Sequence, residues 1–286
     1  MSILTRLQRK ITGYLDRRQD RSLLARHQRA FFTPEQITPV IRQNRAVLSS
    51  VPRWIDDSVY DHSIFQYGLP AALKLLIDKP LSSEVTYTDA LCFLLTRLSK
   101  PVRYLELGVS VGKNFFQVAN SLQNSSLTGF DIEEINPILE ARFSDRTPIS
   151  RWATMETSTK KGESSLTSYR LQSNEVRYLS GDIFDEGSWA RLAGEKFNVI
   201  FSDAFHSPDA LRFEYEMLKR YRLIADEQFI MMWDDLGGGM TREFFHIYDA
   251  MQLEHGLTSA NLSLNAYRGW LGEYVAKHMI GMIHRL

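Results

Sequence analysis

The chain has 286 residues, 44% of them hydrophobic, which suits one α/β domain with an N-terminal extension and is too apolar for a disordered tail. Its 34 basic and 34 acidic residues cancel, and the single cysteine, Cys92, excludes an internal disulfide framework and fits a reducing, cytoplasmic setting. No run approaches the ~18 consecutive apolar residues of a membrane span, and the N-terminus lacks the apolar core of a signal peptide.

Charge is uneven from the start. Residues 1–53 hold 11 Lys/Arg against 3 Asp/Glu, leaving 23 against 31 in the rest. A basic arm on an acidic body suits nucleic acid, anionic lipid or the acidic face of a second copy, giving a homo-oligomer through the N-terminal helices. It equally suits a solvated helix packed on the body. Ile3, Leu4, Leu7, Ile11, Tyr14 and Leu15 recur at helical spacing and predict a helix over residues 3–29. Asp16 and Asp20 set this segment apart from an acid-poor transit peptide. Thr33-Pro34-Glu35-Gln36 is a helix start, with an N-cap and then proline at the first helical position. Further helix is expected around residues 68–78 and 86–99, where Cys92 lies in an apolar run and reads as packing. Residues 1–80 are thus expected as a helical extension, and 81–286 as the main domain.

From residue 102 the pattern alternates. Apolar runs at Val102–Val109, Leu127–Ile132, Val176–Leu179, Phe197–Phe201 and Gln228–Trp233 read as strands. Amphipathic stretches at Asn114–Leu122, Ser188–Leu192, Pro208–Tyr221 and Thr241–His255 read as crossover helices. Right-handed crossovers between such strands predict an α/β fold with a doubly wound, mostly parallel sheet. Residues 134–175 are long and rich in Ser, Thr and charge, which predicts a helix plus an irregular insertion. Ser263–Trp270 and Tyr274–Ile283 flank Leu271-Gly272 and read as an antiparallel strand pair joined by a tight turn.

The segment after the first strand, Glu106-Leu107-Gly108-Val109-Ser110-Val111-Gly112-Lys113, places glycines where a ligand meets the carboxyl ends of strands. A dinucleotide fingerprint, G-x-G-x-x-G, fails at two of its three glycines, which would fall on Ser110 and Lys113. The nucleophile elbow of α/β-hydrolases, G-x-S-x-G, is matched literally with Ser110 as nucleophile and Asp203 or Asp234 followed by His278 as partners. Against it, a hydrolase lays down several strands first, whereas residues 1–101 read as helix.

The third reading is a nucleoside sulfonium site. Glu106, Gly108 and Gly112, with Ser110 in place of a frequent middle glycine, resemble the first motif of the class I S-adenosylmethionine-dependent methyltransferases. Asp131 ends the second strand about 20 residues on, the spacing at which a carboxylate can accept both ribose hydroxyls. Asp182 follows the third strand, where the resemblance implies an acid near the adenine amino group. Asp203 ends the fourth strand, with His206 close behind, and Asp234-Asp235 end the fifth. This set resembles a narrower group, the divalent-metal-dependent O-methyltransferases of catechol, caffeoyl-CoA and macrolide-sugar type. The resemblance covers about residues 80–286. It implies a Rossmann-like methyltransferase fold, S-adenosylmethionine as cofactor, and Mg²⁺ held by Asp203, Asp234 and Asp235.

Such an ion stabilises the oxyanion of a hydroxylated acceptor, a sugar or natural product. His206 could accept the acceptor's proton. Each acid taken singly could instead be a solvated turn residue, and a binding module keeping the fold without catalysis is the further alternative. Among the aromatic residues, Trp233, beside the acid pair, is the one expected to line an acceptor pocket. Nucleic acid is disfavoured as substrate, because the basic residues cluster away from the predicted pocket in sequence.

Overall fold

The segment Arg103–Leu107 (β1) is buried along four of its five residues, as a central parallel strand must be when helices cover both faces. A computed structural model describes residues 16–55, 63–66, 77–78, 80–153, 163–268 and 277–286. In it β1 is flanked in parallel by Ser126–Asp131 (β2) and by Val199–Ser202 (β6). Asn174–Ser180 (β5) pairs in parallel with β2, and Phe229–Trp233 (β7) with β6. All five expected parallel strands are present, and they run in the order β5-β2-β1-β6-β7. Counting these strands alone, the order is the 3-2-1-4-5 of a doubly wound, Rossmann-like sheet, with its switch point between β1 and β6.

Successive residues of each strand serve opposite layers. Tyr104, Leu127, Val176, Phe201 and Met232 face a cluster built on Tyr87–Leu95 (α3) and Lys113–Ser121 (α4). Leu105, Leu107, Phe130, Leu179, Met231 and Trp233 face the other cluster, built on Glu186–Trp189 (α6), Pro208–Arg220 (α7) and Gly239–His255 (α8). Two findings correct the sequence reading here. Trp233 is 2% exposed and packs edge-on against Phe244, so it belongs to the core rather than to the lining of the cavity at the strand ends. The described part of the segment read as an irregular insertion is regular, residues 154–162 lying outside the described residues. After the short helix Pro137–Glu140 (α5), Ser144–Ala153 (β3) and Glu163–Leu171 (β4) form an antiparallel pair that adds to β5. Its serines and threonines resemble a loop in composition, but β4 is hydrogen-bonded on both sides and needs little apolar content to hold.

Leu262–Arg268 (β8) and Lys277–Arg285 (β9) pair antiparallel, as expected, and β9 inserts against β7, completing the nine-strand order β3-β4-β5-β2-β1-β6-β7-β9-β8. The expected tight turn at Leu271-Gly272 lies outside the described residues.

Residues 16–27 (α1) are helical, and the rest of the predicted 3–29 helix before them lies outside the described residues, as does most of 68–78. Leu23 and Leu24 pack on the α7–α8 layer, and the Arg29 guanidinium donates to the Ser259 carbonyl at 2.5 Å. This part of the basic arm is therefore docked on the body. Pro34–Ser49 (α2) begins with the expected cap, in which Thr33 and Gln36 exchange hydrogen bonds. It is tied to α3 by the buried Asp89 carboxylate, which accepts from Asn44 and from both terminal nitrogens of Arg45. Among the described residues no helix is long and apolar enough to cross a membrane.

Candidate functional site

A cavity of about 540 Å³ opens at the carboxyl ends of β1, β2, β6 and β7, within the usual range of small-molecule sites. Of the residues singled out in the sequence, Glu106, Gly108, Ser110, Asp131, Asp203, His206, Asp234 and Asp235 line it. Gly112 and Asp182 do not. Gly112 caps α4 with φ 76°, and a Cβ there would meet the Leu139 side chain at 1.9 Å, so its part is to shape the loop. Asp182 lies on the same rim but turns into its own loop, where Oδ1 accepts from the Phe184 N–H at 2.8 Å.

One wall is built by the backbone. Gly108, at φ 80°, donates its N–H to the Phe130 carbonyl at 2.8 Å, and a Cβ on it would stand 2.4 Å from both Ala204 Cα and the Asp203 carbonyl. This close approach seats the β1 turn against the end of β6, a contact that only glycine allows. Asp131 closes the loop from the other side: Oδ2 accepts from the Ser110 N–H at 2.7 Å and Oδ1 from the Glu133 N–H at 2.8 Å. Beneath them Glu106 is buried, with Oε2 accepting from the Tyr104 hydroxyl at 2.5 Å and Asn114 Nδ2 at 2.9 Å. Burial pushes its pKa up to about 8, against the pull of those two donors.

The opposite wall is built by side chains. His206 Nε2 bonds Asp203 Oδ1 at 2.9 Å, while its Nδ1 lies 3.9 Å from Asp235 Oδ2. The Asp203 hydrogen bond raises the His206 pKa, over the opposing effect of burial. His278, from β9, reaches the same place, with Nδ1 at 3.0 Å from Asp234 Oδ1 and 2.8 Å from Asp235 Oδ1. Burial disfavours its imidazolium, but the two carboxylates outweigh that and push its pKa up to about 10. Burial raises Asp234 to about 6, while the His278 hydrogen bond lowers Asp235. Asp235 adopts φ 50°, an uncommon conformation for a non-glycine residue, and its N–H donates to Asp234 Oδ1 at 2.6 Å.

Among the described residues, the group whose ligand atoms could all meet one ion is Asp234, Asp235 and His278, with one atom each within 4.8 Å of one another. Asp203 is not part of it. Two carboxylates and an imidazole fit a divalent transition ion such as Mn²⁺ better than Mg²⁺, which favours oxygen alone.

Sequence reasoning offered His278 as a partner of Asp203 or Asp234 only within the elbow reading and not beside the acid pair of a methyltransferase site, and it missed Tyr87, Lys113 and the apolar rim. Tyr87 opens α3, stacks on Phe201 at 5.7 Å and lines the cavity. Ile132 at 38% exposure lines the mouth, and Phe205 at 58% neighbours the lining residues Ala204 and His206 and packs edge-on against Phe184.

The elbow reading of Ser110 loses its support. Among the described residues no strand precedes β1, and no histidine is hydrogen-bonded to the Ser110 hydroxyl, although His278 does meet Asp234.

No family model matches the chain, and no curated protein matches it. Several solved structures are similar over most of the chain. They include an O-methyltransferase from Bacillus cereus in complex with SAH, at 11% identity over 96% of this chain and 99% of that one, TM-score 0.39. Another is the O-methyltransferase TomG from Streptomyces achromogenes, involved in tomaymycin synthesis, in complex with SAM, at 14% identity over 88% and 99%, TM-score 0.40. A fibrillarin pre-rRNA processing protein from Methanococcus jannaschii is similar at 13% identity over 64% and 66%, TM-score 0.35. At such identities and scores, function has to be read from the cavity's own residues.

Proposed function

We propose that this chain is an S-adenosylmethionine-dependent methyltransferase acting on an oxygen of a small hydroxylated acceptor. The observation that carries the reading is the position of Asp131: its carboxylate ends β2, next to β1, and lines the cavity from beside the Gly108–Gly112 turn. A carboxylate there can accept both hydroxyls of a ribose. Ile132 and Phe205 offer apolar faces to a planar base beside it. The acids of the cavity suit a ligand bearing a sulfonium and an ammonium.

Methyl transfer breaks the sulfonium carbon–sulfur bond, forms a carbon–oxygen bond and releases one proton from the acceptor. In this reading Asp203 holds the Nε2–H of His206, which leaves Nδ1 as the atom that receives that proton. The remaining task, alignment of the oxygen with the methyl group, falls to the wall formed by Asp234, Asp235 and Tyr87. A divalent ion held by Asp234, Asp235 and His278 would supply stabilisation of the acceptor oxyanion.

S-adenosylhomocysteine should bind and raise the melting temperature by mass action. Asp131→Ala should weaken that binding at least about a hundredfold, the loss of charge-assisted hydrogen bonds to two hydroxyls. Asp234→Ala should leave binding nearly intact and lower turnover. Calorimetric titration decides: no binding to the native chain, or native affinity in Asp131→Ala, overturns the reading.

A further inference from the structure

Helix α1 is two-sided. Asp16, Asp20, Leu23, Leu24 and His27 recur at the three- and four-residue spacing of one helical face, and that face meets the body. Asp20 accepts the Gly238 N–H at 3.0 Å and Asp16 pairs with Arg242 at 3.1 Å. The two leucines enter the α7–α8 layer, and the His27 ring lies 5.3 Å from that of Phe245. Both acids of α1 are therefore turned inward. Arg17, Arg18 and Arg21 are exposed on the rest of the helix, and among the described residues none of them is ion-paired. Arg21 stands three residues from Arg18 and four from Arg17, so the three guanidiniums are neighbours on one surface, with Ser22 and Ala25 beside them. Like charges at these spacings repel and work against the helix. An anionic surface laid along the strip reverses the sign of that effect.

We propose that the outer face of α1, with Arg17, Arg18 and Arg21, rests on an anionic phospholipid surface and attaches the molecule to it peripherally. Two observations choose lipid over nucleic acid. The strip carries no aromatic side chain on which a base could stack, its uncharged members being Ser22 and Ala25. Residues 1–15, which lead into it, hold Arg6, Arg9 and Lys10 and no acid, among Ile3, Leu4, Leu7 and Ile11. Basic residues interleaved with large aliphatic ones are the composition of an interfacial anchor. The place of the strip gives the attachment a consequence. Asp20 grips Gly238, three residues after Asp235, so roughly one helix diameter, about 10–12 Å, would separate that turn of the cavity's acidic wall from the lipid.

The test sediments the full chain with vesicles of phosphatidylcholine alone and of phosphatidylcholine with about one-third phosphatidylserine. No nucleoside is present, so the outcome is independent of the methyltransferase reading. Binding should be confined to the anionic vesicles and should fall steeply between about 0.05 and 0.5 M salt. The triple variant Arg17→Gln, Arg18→Gln, Arg21→Gln should partition about a hundredfold more weakly, roughly fivefold for each charge. Its melting temperature should match the native one, because the contacts of α1 with the body are on its other face. Lysine at all three positions should keep the binding. Arg103→Gln, Arg151→Gln, Arg170→Gln removes the same charge from exposed positions on β1, β3 and β4 and should leave partitioning within about twofold. A native chain left in the supernatant by anionic vesicles at low salt overturns the proposal, as does equal binding to neutral vesicles. An equal loss in the two glutamine triples also overturns it, since net charge and not α1 would then be the cause. If the native chain ignores the vesicles and instead binds poly(U) RNA, or forms a dimer that the α1 triple dissociates, the strip serves another partner and the proposal falls.

Discussion

The two walls of the cavity are held in different ways. On the β1–β2 side the fixing groups are backbone amides and one carboxylate: Gly108 to Phe130, and Ser110 and Glu133 to Asp131. On the β6–β7–β9 side the fixing groups are side chains, Asp203 with His206 and the Asp234–Asp235 pair with His278. A wall clamped by its backbone is geometrically stiff and tolerates little change at its glycines. A wall clamped by ionisable side chains is tunable by pH and by substitution, and it can exchange one partner for another. In the proposed methyltransferase, that division would give the backbone-clamped wall to the cofactor and the side-chain wall to the acceptor.

The contrast can be broken at the seam. Gly108→Ala would push a Cβ into Ala204 and the Asp203 carbonyl and would demand a left-handed conformation of alanine. It should cost about 4 kcal/mol or more and disturb both walls together, as read by chemical denaturation. A loss under about 1 kcal/mol would mean that the two walls are not locked there. His278→Ala strikes one wall alone. It leaves the buried Asp234 without its imidazole partner and should destabilise the fold by about 2–3 kcal/mol, while the melting-temperature rise on adding S-adenosylhomocysteine persists.

A titration sharpens the same contrast. Glu106 has a folded pKa of about 8, above the ordinary value of 4.5, so between these values the folded state holds the proton that the unfolded chain releases. Its contribution is complete below pH ~4.5 and is lost as pH rises through ~8. Glu106→Gln should flatten that part of the curve in urea denaturation at pH 5, 6.5 and 8. A parallel curve for the variant would show that the carboxyl is ionised throughout. The smallest effect belongs to the arm. Asp20 Oδ2 accepts the Gly238 N–H at 3.0 Å, just beyond the acid pair, and Asp20→Ala should cost about 1 kcal/mol without altering nucleoside affinity. Asp20→Asn keeps an acceptor and should recover most of it.

The same division explains what the sequence disclosed. The glycine turn, Asp131 and the strand-end acids were legible because each lies at the carboxyl end of an apolar run, so its place follows from one local pattern. His278 entered only as a triad partner in the elbow reading, because it joins Asp234 through the antiparallel register of β9 on β7, where Trp233 faces Gly281. The signal was present: a final strand reversed against β7 must begin at the acid-pair end, and Lys277-His278 is where it begins. Tyr87 was hidden because its helix lies outside the strand–helix alternation. Trp233 was misplaced because strand alternation, which turns it into the α8 layer, counts for more than its nearness in sequence to Asp234. The β3–β4 pair was missed for a compositional reason, since serine and threonine are common both in loops and in strands that borrow stability from neighbours.

That added pair leaves β3 as the outer strand of the sheet, exposed along most of its length. Such a border would ordinarily be a template on which further chains could polymerise. Here Pro148 removes one amide from the row, two register breaks interrupt it, and Asp145, Arg146 and Arg151 crowd it with charge. The molecule can thus widen its sheet to nine strands and still present neighbours with a border that is hard to extend.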